Sequence, residues 1–394
     1  MIEAYLMHEK ERNAQGIPAL PLNPEQTTSL CELLQSPPAG KEEFLMSLFT
    51  ERVSPGVDPA AEVKAGFLAD ILTGSRKSPL IDKKQAVQIL GTMIGGYNVQ
   101  PLISALSDAS LADDAASALS GLTYLYDAAA QVLELAKSNT AARKVAESWA
   151  NAEWFTNKPE MPETITVKVF KVEGEINTDD FSPAGDAWSR PDIPLHALAM
   201  GKTRFPGGIE DIAKWRLEGH QVAFVGDVVG TGSSRKSACN SVLWYIGDDI
   251  PCVPNKRRGG VIIGSVIAPI FFNTAQDSGA LPLKMDVTKL NMGDVVTINT
   301  AKGEVTNEAG DVVTTFDIKP NTVPDEYRAG GRIPLIIGRS LTAEAREALG
   351  MGEVDIFAQP DNPTPQPGQG YTQAQKMVGK ACGVEGVLPG TACE

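Results

Sequence analysis

The sequence predicts a multidomain protein, in which an all-α helical solenoid over residues 1–157 is followed by an α/β domain over residues 158–322. The first region repeats amphipathic stripes of roughly 8–16 residues with short links and no strand pattern, which is typical of stacked helices. The second region alternates β-branched strand patterns with helical ones, which is typical of an α/β fold. A chain of 394 residues is also long enough for two or three domains.

Two helices of the first region carry start and stop signals. In "DPAAEVKAGFLADILTG", Asp58 is placed to cap the helix, Pro59 suits its first turn and Gly74 ends it. The next segment, "DKKQAVQILGTMIGG", repeats this scheme with Asp82 as the cap and Gly95–Gly96 as the stop. The apolar residues of the two stripes recur at helical spacing: Val63, Phe67, Ile71, Val87, Leu90 and Ile94.

The pattern changes where the helical region ends. Pro159 and Pro162 interrupt the helices, and residues 164–172 switch to the alternating, β-branched pattern of a strand. A linker region is expected over residues 323–370, because it ends in the proline-rich stretch "AQPDNPTPQPGQG", which cannot hold a helix. Residues 371–394 are amphipathic again and predict the start of a further domain.

Composition narrows the range of partners. The formal net charge of −14 disfavours nucleic acid unless a local basic patch is present. No apolar run approaches the roughly 18 residues that cross a bilayer, and no secretory signal opens the sequence, so a cytoplasmic protein without a membrane partner is expected. The cysteines and histidines show no ligand spacing, so no metal site is predicted and the thiols are expected to be reduced. The cysteines are Cys31, Cys239, Cys252, Cys382 and Cys393.

The segment "GDVVGTGSSRKSA" places Ser233, Ser234 and Arg235 between a glycine turn and a predicted helix. Backbone N–H groups, a helix N-terminus and a guanidinium would gather positive charge there. A phosphate loop is one interpretation, but the segment lacks the third glycine of a dinucleotide fingerprint and the Gly-Lys-Ser/Thr of a Walker loop. A serine-capped helix start is the second interpretation, and a carboxylate or oxyanion site is the third.

A second polar cluster follows the first predicted strand of the α/β region. Asn177, Thr178, Asp179 and Asp180 form a polar turn after the strand at 165–173, and Arg190 stands just before a proline. Polar groups at a strand's carboxyl end are an expected place for a ligand in an open α/β sheet. An Asx-turn with a surface arginine is the alternative for this cluster taken alone. Together with the serine turn, it favours a carboxylate site.

Three segments together resemble one family. "INTDDFSPAGDAWSR", "GDVVGTGSSRKSA" and "IAPIFFNT" are similar to the swivel domain of the aconitase superfamily. A helical module directly before that domain resembles the aconitase B branch, in which a HEAT-like domain precedes the swivel domain. The resemblance therefore implies a HEAT-like solenoid at 1–157 and a swivel domain, similar to aconitase domain 4, at 158–322. It also implies that a linker at 323–370 leads into a truncated first catalytic domain at 371–394.

The resemblance implies a hydro-lyase that interconverts citrate and isocitrate through cis-aconitate, a step of the tricarboxylic acid cycle. Such enzymes use a 4Fe-4S cluster with one iron that binds substrate as a Lewis acid. In the family motif, the serine matching Ser233 takes the proton from carbon. Ser234 and Arg235 match positions that hold a substrate carboxylate. Arg190 matches the substrate-binding arginine, although its spacing from the T-D motif is one residue shorter than in mitochondrial-type enzymes.

Two further residues belong to the T-D motif itself. Thr178 and Asp179 match positions that support and orient the polar groups of the active site. A tricarboxylate substrate would suit a site with two arginines and a helix N-terminus, because opposite charges would then face each other. None of the five cysteines matches the family's cluster ligands, which include a C-x-x-C pair in the catalytic domains. This chain alone is therefore expected to bind no cluster and to be inactive without the missing C-terminal catalytic domains.

Two rival functions remain open at this point. An interaction module is the first, because aconitase B resembles proteins that bind messenger RNA and dimerise through the N-terminal region. Residues 1–157 hold 12 Lys and Arg against 19 Asp and Glu, a net charge of −7, which argues against broad electrostatic RNA binding. The second rival is a small subunit that works with a separate hydro-lyase chain, as in an isopropylmalate-isomerase-like pair.

Overall fold

The computed structural model describes residues 1–359 and 362–391, and its first part is helical as predicted. Most of these helices bury one apolar face against their neighbours, which is how an amphipathic helix gains most of its stability. The helices are α1 (Ile2–Asn13), α2 (Pro24–Gln35), α3 (Glu42–Glu51), α4 (Pro59–Thr73), α5 (Lys83–Gly91), α6 (Val99–Ala105), α7 (Ala112–Ser120), α8 (Ala128–Leu135), α9 (Thr140–Ala150) and α10 (Glu153–Thr156).

The predicted signals at the ends of α4 are confirmed. The side chain of Asp58 accepts a hydrogen bond from the backbone N–H of Ala60, and Pro59 occupies the first helical position. Gly74 follows the helix with a φ of 82°, a left-handed conformation that glycine adopts without steric cost. The local sequence therefore determines both ends of this helix.

The start of α5 is confirmed, but its predicted stop at Gly95–Gly96 is wrong. Asp82 caps the helix in a reciprocal capping box with Gln85, whereas the helix ends at Gly91. The cause lies beyond the helix. The buried side-chain amide of Asn98 donates to the carbonyl of Leu90 at 2.8 Å, and this carbonyl would have accepted an N–H from a further helical turn. Ile94, which was expected on the buried stripe, is consequently 49% exposed.

The helices stack in a row. Along the chain α2 packs on α4, α4 on α5, α5 on α7 and α7 on α9. One continuous apolar core runs through this row and includes the fully buried Phe49, Leu90 and Trp149. Each helix of the row thus buries its apolar face against the next one along.

Residues 323–348 differ from the predicted linker, because they form α16 (Val323–Ala329) and α17 (Arg332–Ala348). α17 packs on α9, and its Leu341 and Ala345 join the core of the helical row. Thr342 donates to the carbonyl of Trp149 and accepts from Trp154 Nε1, both at 2.9 Å. The amphipathic pattern of this segment therefore belongs to a helix that packs on α9. Irregular backbone dominates residues 349–359 and 362–372, before α18 (Gln373–Ala381).

The α/β region contains a mixed seven-stranded sheet in the order β6-β5-β2-β1-β7-β8-β9. The four strands from β6 to β1 are parallel, and β7, β8 and β9 extend the sheet in antiparallel pairing. The strands are β1 (Thr164–Asn177), β2 (Val222–Thr231), β3 (Asp248–Ile250), β4 (Val253–Arg258), β5 (Val261–Ile267), β6 (Leu281–Lys284), β7 (Val295–Asn299), β8 (Glu304–Asn307) and β9 (Val312–Thr315). The helices are α11 (Thr178–Phe181), α12 (Ile193–Ala197), α13 (Gly208–Leu217), α14 (Arg235–Ile246) and α15 (Pro269–Asp277).

Both faces of the parallel half of the sheet are buried. Along β2, Val222 and Phe224 point into a core shared with α14 and α15, whereas Ala223 and Val225 point into a second core on the other face. This alternation explains the continuous apolar run "VAFV", because a central parallel strand has no solvent-facing side. Among the described residues, none of the helices combines the length and apolar character that spanning a bilayer requires.

Candidate active site

The carboxyl ends of three neighbouring parallel strands meet at one edge of the sheet. β1 ends at Asn177, β2 at Thr231 and β5 at Ile267, and each strand leads within a few residues into a helix. Asn177 pairs in register with Thr231, and Val229 pairs with Ile267, so the three strand ends lie side by side. Ligands of open α/β sheets bind at this kind of edge, where helix N-termini converge.

The strand before the first polar cluster is longer than predicted. β1 continues past residue 173 to Asn177 because a bulge at Gly174, with a φ of 75°, shifts its register without ending it. Asn177 then caps α11, accepting from the backbone N–H groups of Asp179 and Asp180 at 2.7 and 3.1 Å. The Asx-turn that the sequence offered as an alternative is therefore present. Thr178 is buried and Asp179 is exposed.

The serine turn depends on two glycines with positive φ. Gly230 and Gly232 have φ values of 81° and 103°, and a Cβ at Gly230 would lie only 2.2 Å from the ring of Phe271. These positions accept only glycine, both for backbone conformation and for space. Ser234 then precedes the first residue of α14, and its backbone N–H donates to Thr178 Oγ1 at 3.2 Å. The structure thereby joins the two polar clusters that the sequence predicts separately.

A pocket of about 480 Å³ opens beside this junction. It lies between the residues that connect α11 to α12, here called the 182–192 loop, and the first turns of α14. Its walls carry mostly polar or charged side chains, and those with chemical groups of interest include Arg190, Asp192, His196, Ser234, Lys236 and Asn240. Arg190 and Ser234 therefore share one pocket, as the carboxylate-site interpretation requires.

Arg190 is held by its own loop. Its Nη1 donates to the carbonyl of Leu195 at 3.2 Å, and its Nε lies 3.6 Å from the carboxylate of Asp186. Lys202 also bonds to Asp186, and this hydrogen bond is the main reason that the pKa of Asp186 is lowered, with a smaller contribution from Arg190. The Arg190 side chain remains one-third exposed and lines the pocket, so guanidinium donors without a partner are available to a ligand there.

Four predicted site residues lie outside the lining of this pocket, and one of them is the buried Thr178. Ser233 is exposed at the tip of the turn, and its carbonyl accepts from the backbone N–H of Arg235 at 2.9 Å. Arg235 is half-buried at the start of α14, and Asp179 is exposed at the start of α11. These three residues and Thr178 lie at the start of α11 or of α14, the same edge of the sheet as the pocket.

Sequence reasoning missed other residues of the pocket. Ser182 Oγ and His196 Nε2 share a buried hydrogen bond of 2.7 Å across the pocket wall. Asp192 caps α12, where its carboxylate accepts from the backbone N–H of Leu195. An aspartate two residues before "PLH" is a readable cap signal in the sequence. Nothing local marks the Ser182–His196 pair, because only the fold brings these residues together.

The described residues do not fit an iron–sulfur cluster. Cys31, Cys239 and Cys252 are free thiols in different parts of the fold, Cys382 follows α18, and Cys393 lies outside the described residues. Burial raises the pKa of Cys31 to about 12 and that of Cys239 to about 11, which opposes the thiolate form that ligates iron. Across residues 1–359 and 362–391, no group of three or more His, Cys, Asp or Glu side chains is arranged to hold a metal ion.

Fold and site together define a two-part protein, in which a helical row supports an α/β domain with an arginine- and serine-lined pocket at its parallel strand ends. Comparison with known families identifies it further. A family model described as "Aconitate hydratase 2 N-terminus" matches residues 167–371, and one described as "Aconitate B N-terminal domain" matches residues 4–155. Since the first match covers just over half of the chain, the chain belongs to the aconitate hydratase 2 (aconitase B) N-terminal family.

Individual relatives agree with this family. Aconitate hydratase B of Synechocystis sp. is 59% identical over 396 residues, which cover 100% of this chain and 46% of that protein. Aconitate hydratase B of Escherichia coli is 56% identical over 406 residues, covering 100% of this chain and 47% of that protein. The small subunit of 3-isopropylmalate dehydratase from Nitratidesulfovibrio vulgaris is 26% identical over 171 residues, covering 43% of this chain and 92% of that subunit. The chain thus spans just under half the length of the aconitate hydratases that it matches.

Proposed function

We propose that this chain is the N-terminal part of an aconitate hydratase, which interconverts citrate and isocitrate through cis-aconitate. The observation that carries the proposal is the bond from the Ser234 N–H to Thr178 Oγ1, since it brings the serine turn beside the pocket that contains Arg190. The identity to aconitate hydratases along the whole chain supports the same reaction. In this proposal the helical row is a HEAT-like domain and the α/β region is a swivel domain.

The residues of the pocket edge have separate tasks in this reaction. Arg190 and Arg235 bind substrate carboxylates, because a guanidinium matches the geometry of a carboxylate with two parallel hydrogen bonds. Ser234 adds a hydroxyl contact in the pocket, while Thr178 and, more distantly, Asp179 fix the turn. These contacts hold the tricarboxylate so that its reacting C–H faces Ser233.

Ser233 is the base that removes the proton from carbon. A serine alkoxide is normally too costly at neutral pH, but the helix N-terminus of α14 and the adjacent Arg235 guanidinium lower that cost. The exposure of Ser233 fits this task, because the hydroxyl must reach a substrate held partly by another domain. The iron–sulfur cluster of the proposed enzyme would be ligated by residues beyond this chain, so no step here depends on a cysteine of residues 1–394.

The remaining proposals concern the setting of the enzyme. We propose that the edge of the sheet beside the pocket binds a tricarboxylate and faces the catalytic domains of the longer protein. We assign the enzyme to the cytoplasm, since Cys31, Cys239 and Cys252 are free thiols, as is usual in a reducing compartment.

The test is Ser233→Ala in the full-length enzyme, with Ser340→Ala as the matched control. Ser340 is an exposed serine on α17 that bonds to Glu344 and lies in the other domain. We expect Ser233→Ala to lower kcat by about 10²–10⁴-fold with little change in KM, because general-base catalysis typically contributes that much. The control should keep the wild-type kcat. A loss of less than about tenfold in kcat would remove Ser233 from the role of base, and a wild-type enzyme without hydratase activity would refute the proposed reaction.

A further inference from the structure

A buried arginine of the helical row contacts the loop that carries Arg190. Arg12, near the end of α1, is 7% exposed, and its Nη1 and Nη2 donate to Asp192 Oδ2 and Oδ1 at 3.1 and 2.6 Å. Its Nε donates to the carbonyl of Pro18 at 2.9 Å. Since all three guanidinium nitrogens have partners, the planar group has one fixed orientation. This ion pair crosses from one domain to the other.

Asp192 links the fixed guanidinium of Arg12 to the pocket. It is the N-cap of α12, and its carboxylate and carbonyl accept from the backbone N–H groups of Leu195 and His196 at 3.3 and 2.9 Å. A helix of five residues is not stable by itself, so α12 depends on its cap and its packing. The carbonyl of Leu195 in turn accepts from Arg190 Nη1. A continuous chain of bonds therefore runs from Arg12 to Arg190.

The ion pair also has an electrostatic effect on the pocket. Asp192 lines the pocket, so its carboxylate would repel an anionic ligand if it were unpaired. Two other charged groups near the pocket are Asp186, which lies between Lys202 and Arg190, and Lys236 on α14. With Arg12 in place, the charge of Asp192 is compensated from behind the pocket wall rather than by Arg190. Arg190 is then left with donors for a substrate.

We infer that Arg12 is a positioning residue of the helical domain, which sets the pocket's affinity for an anionic substrate by neutralising Asp192 and fixing the loop of Arg190. The inference rests on the proposed function for the identity of the substrate as a tricarboxylate. It gives the helical domain a task in substrate binding that operates through one ion pair. Arg12 itself does not line the pocket, so it acts only through Asp192 and α12.

The kinetic test uses the full-length enzyme with citrate as the substrate. We expect Arg12→Ala to raise KM about tenfold while kcat stays within about twofold, because ground-state and transition-state binding would be weakened alike. The double variant Arg12→Ala/Asp192→Asn should return KM to within about threefold of wild type, since asparagine caps a helix as well as aspartate and carries no charge. A double variant as impaired as Arg12→Ala would assign the effect to lost packing of the arginine and overturn the inference.

Arg328→Ala is the matched control. Arg328 also has three hydrogen-bonded guanidinium nitrogens, which donate to Lys158, Glu160 and Thr156, and its side chain is 18% exposed, but it lies on α16. Its loss should lower the midpoint of unfolding and leave KM unchanged. An equal rise in KM for this control would show that any weakened contact between segments affects binding, and would refute a specific role of Arg12.

Hydrogen exchange separates this inference from the proposed reaction. In the same full-length protein, the amides of Leu195 and His196 should exchange about tenfold faster in Arg12→Ala, because their cap loses its anchor. Exchange should be unchanged in Arg328→Ala. Unchanged exchange in Arg12→Ala would overturn the inference whatever the activity. If the wild-type enzyme shows no hydratase activity, the proposed function fails, while the exchange rates still decide whether Arg12 holds α12.

Discussion

The backbone N–H of Ser234 donates to the side-chain oxygen of Thr178 at 3.2 Å, so the loops after β1 and β2 are bonded to each other. The fit is close, because a Cβ at Gly232 would lie only 2.5 Å from that same oxygen. Thr178 is 1% exposed, so its hydroxyl makes this bond inside the protein. The serine turn and the T-D motif thus form one structural unit at the edge of the sheet.

Thr178→Val is expected to destabilise the protein by about 1–3 kcal/mol, because it leaves the Ser234 N–H without its acceptor while keeping the shape of the side chain. Thr178→Ser retains the oxygen and should cost less. The measurement is urea unfolding of the two variants against wild type. In the full-length enzyme, Thr178→Val should also lower kcat/KM for citrate more than Thr178→Ser. Equal unfolding free energies for the two variants would contradict the importance of this bond.

Lys64 should make the stability of the helical region depend on pH. This fully buried side chain has one long hydrogen bond, to the carbonyl of Thr50 at 3.5 Å. Burial lowers its pKa from 10.5 to about 8. Between about pH 8 and pH 10.5 the unfolded chain therefore binds more protons at Lys64 than the folded one, so this residue's contribution to stability rises with pH. Below pH 8 its cost to folding is constant.

Lys64→Met provides the measurement. Methionine keeps the helix propensity and apolar contacts but removes the charge, so the variant is expected to be more stable than wild type at pH 7 by about 3 kcal/mol. This advantage should shrink between pH 8 and pH 10.5. The measurement is the difference in unfolding free energy between the two proteins at each pH, made in a Cys31→Ala background because Lys64 and Cys31 act on each other's pKa. A difference that does not change with pH would show that Lys64 titrates normally.

Thr342→Val tests whether α17 belongs to the helical row. The hydroxyl of Thr342 is buried and bridges Trp149 and Trp154, so valine removes the acceptor of the indole N–H without changing the volume much. The expected loss is about 1–3 kcal/mol of unfolding free energy. Thr342→Ser keeps the hydroxyl and serves as the control. If both variants unfold at the wild-type midpoint, the bridge does not hold α17 to the row.

The sequence predicted the ends of those elements whose terminal backbone groups bond to residues nearby in the chain. The cap at Asp58 and the stop at Gly74 follow from hydrogen bonds and φ angles within a few residues, whereas the serine turn before α14 also depends on contacts with Thr178 and Phe271. The end of α5 could not be predicted in this way, because it depends on the amide of Asn98 from beyond the helix. The packing of residues 323–348 was missed because the nearby prolines suggested a linker, whereas the partner of α17 is α9, far back in the sequence.

The same distinction between local and tertiary causes applies to the candidate site. Ser233, Ser234 and Arg235 are adjacent in the chain, so the sequence alone determined that two hydroxyls and a guanidinium gather at a helix start. That Arg190 shares a pocket with Ser234, and that Arg12 holds Asp192, was decided only by the tertiary structure. The reason is that a pocket between loops depends on which strands lie side by side and how the domains dock. The strand order and the docking of the domains depend on the free energy of the whole core, so no local sequence pattern predicts them.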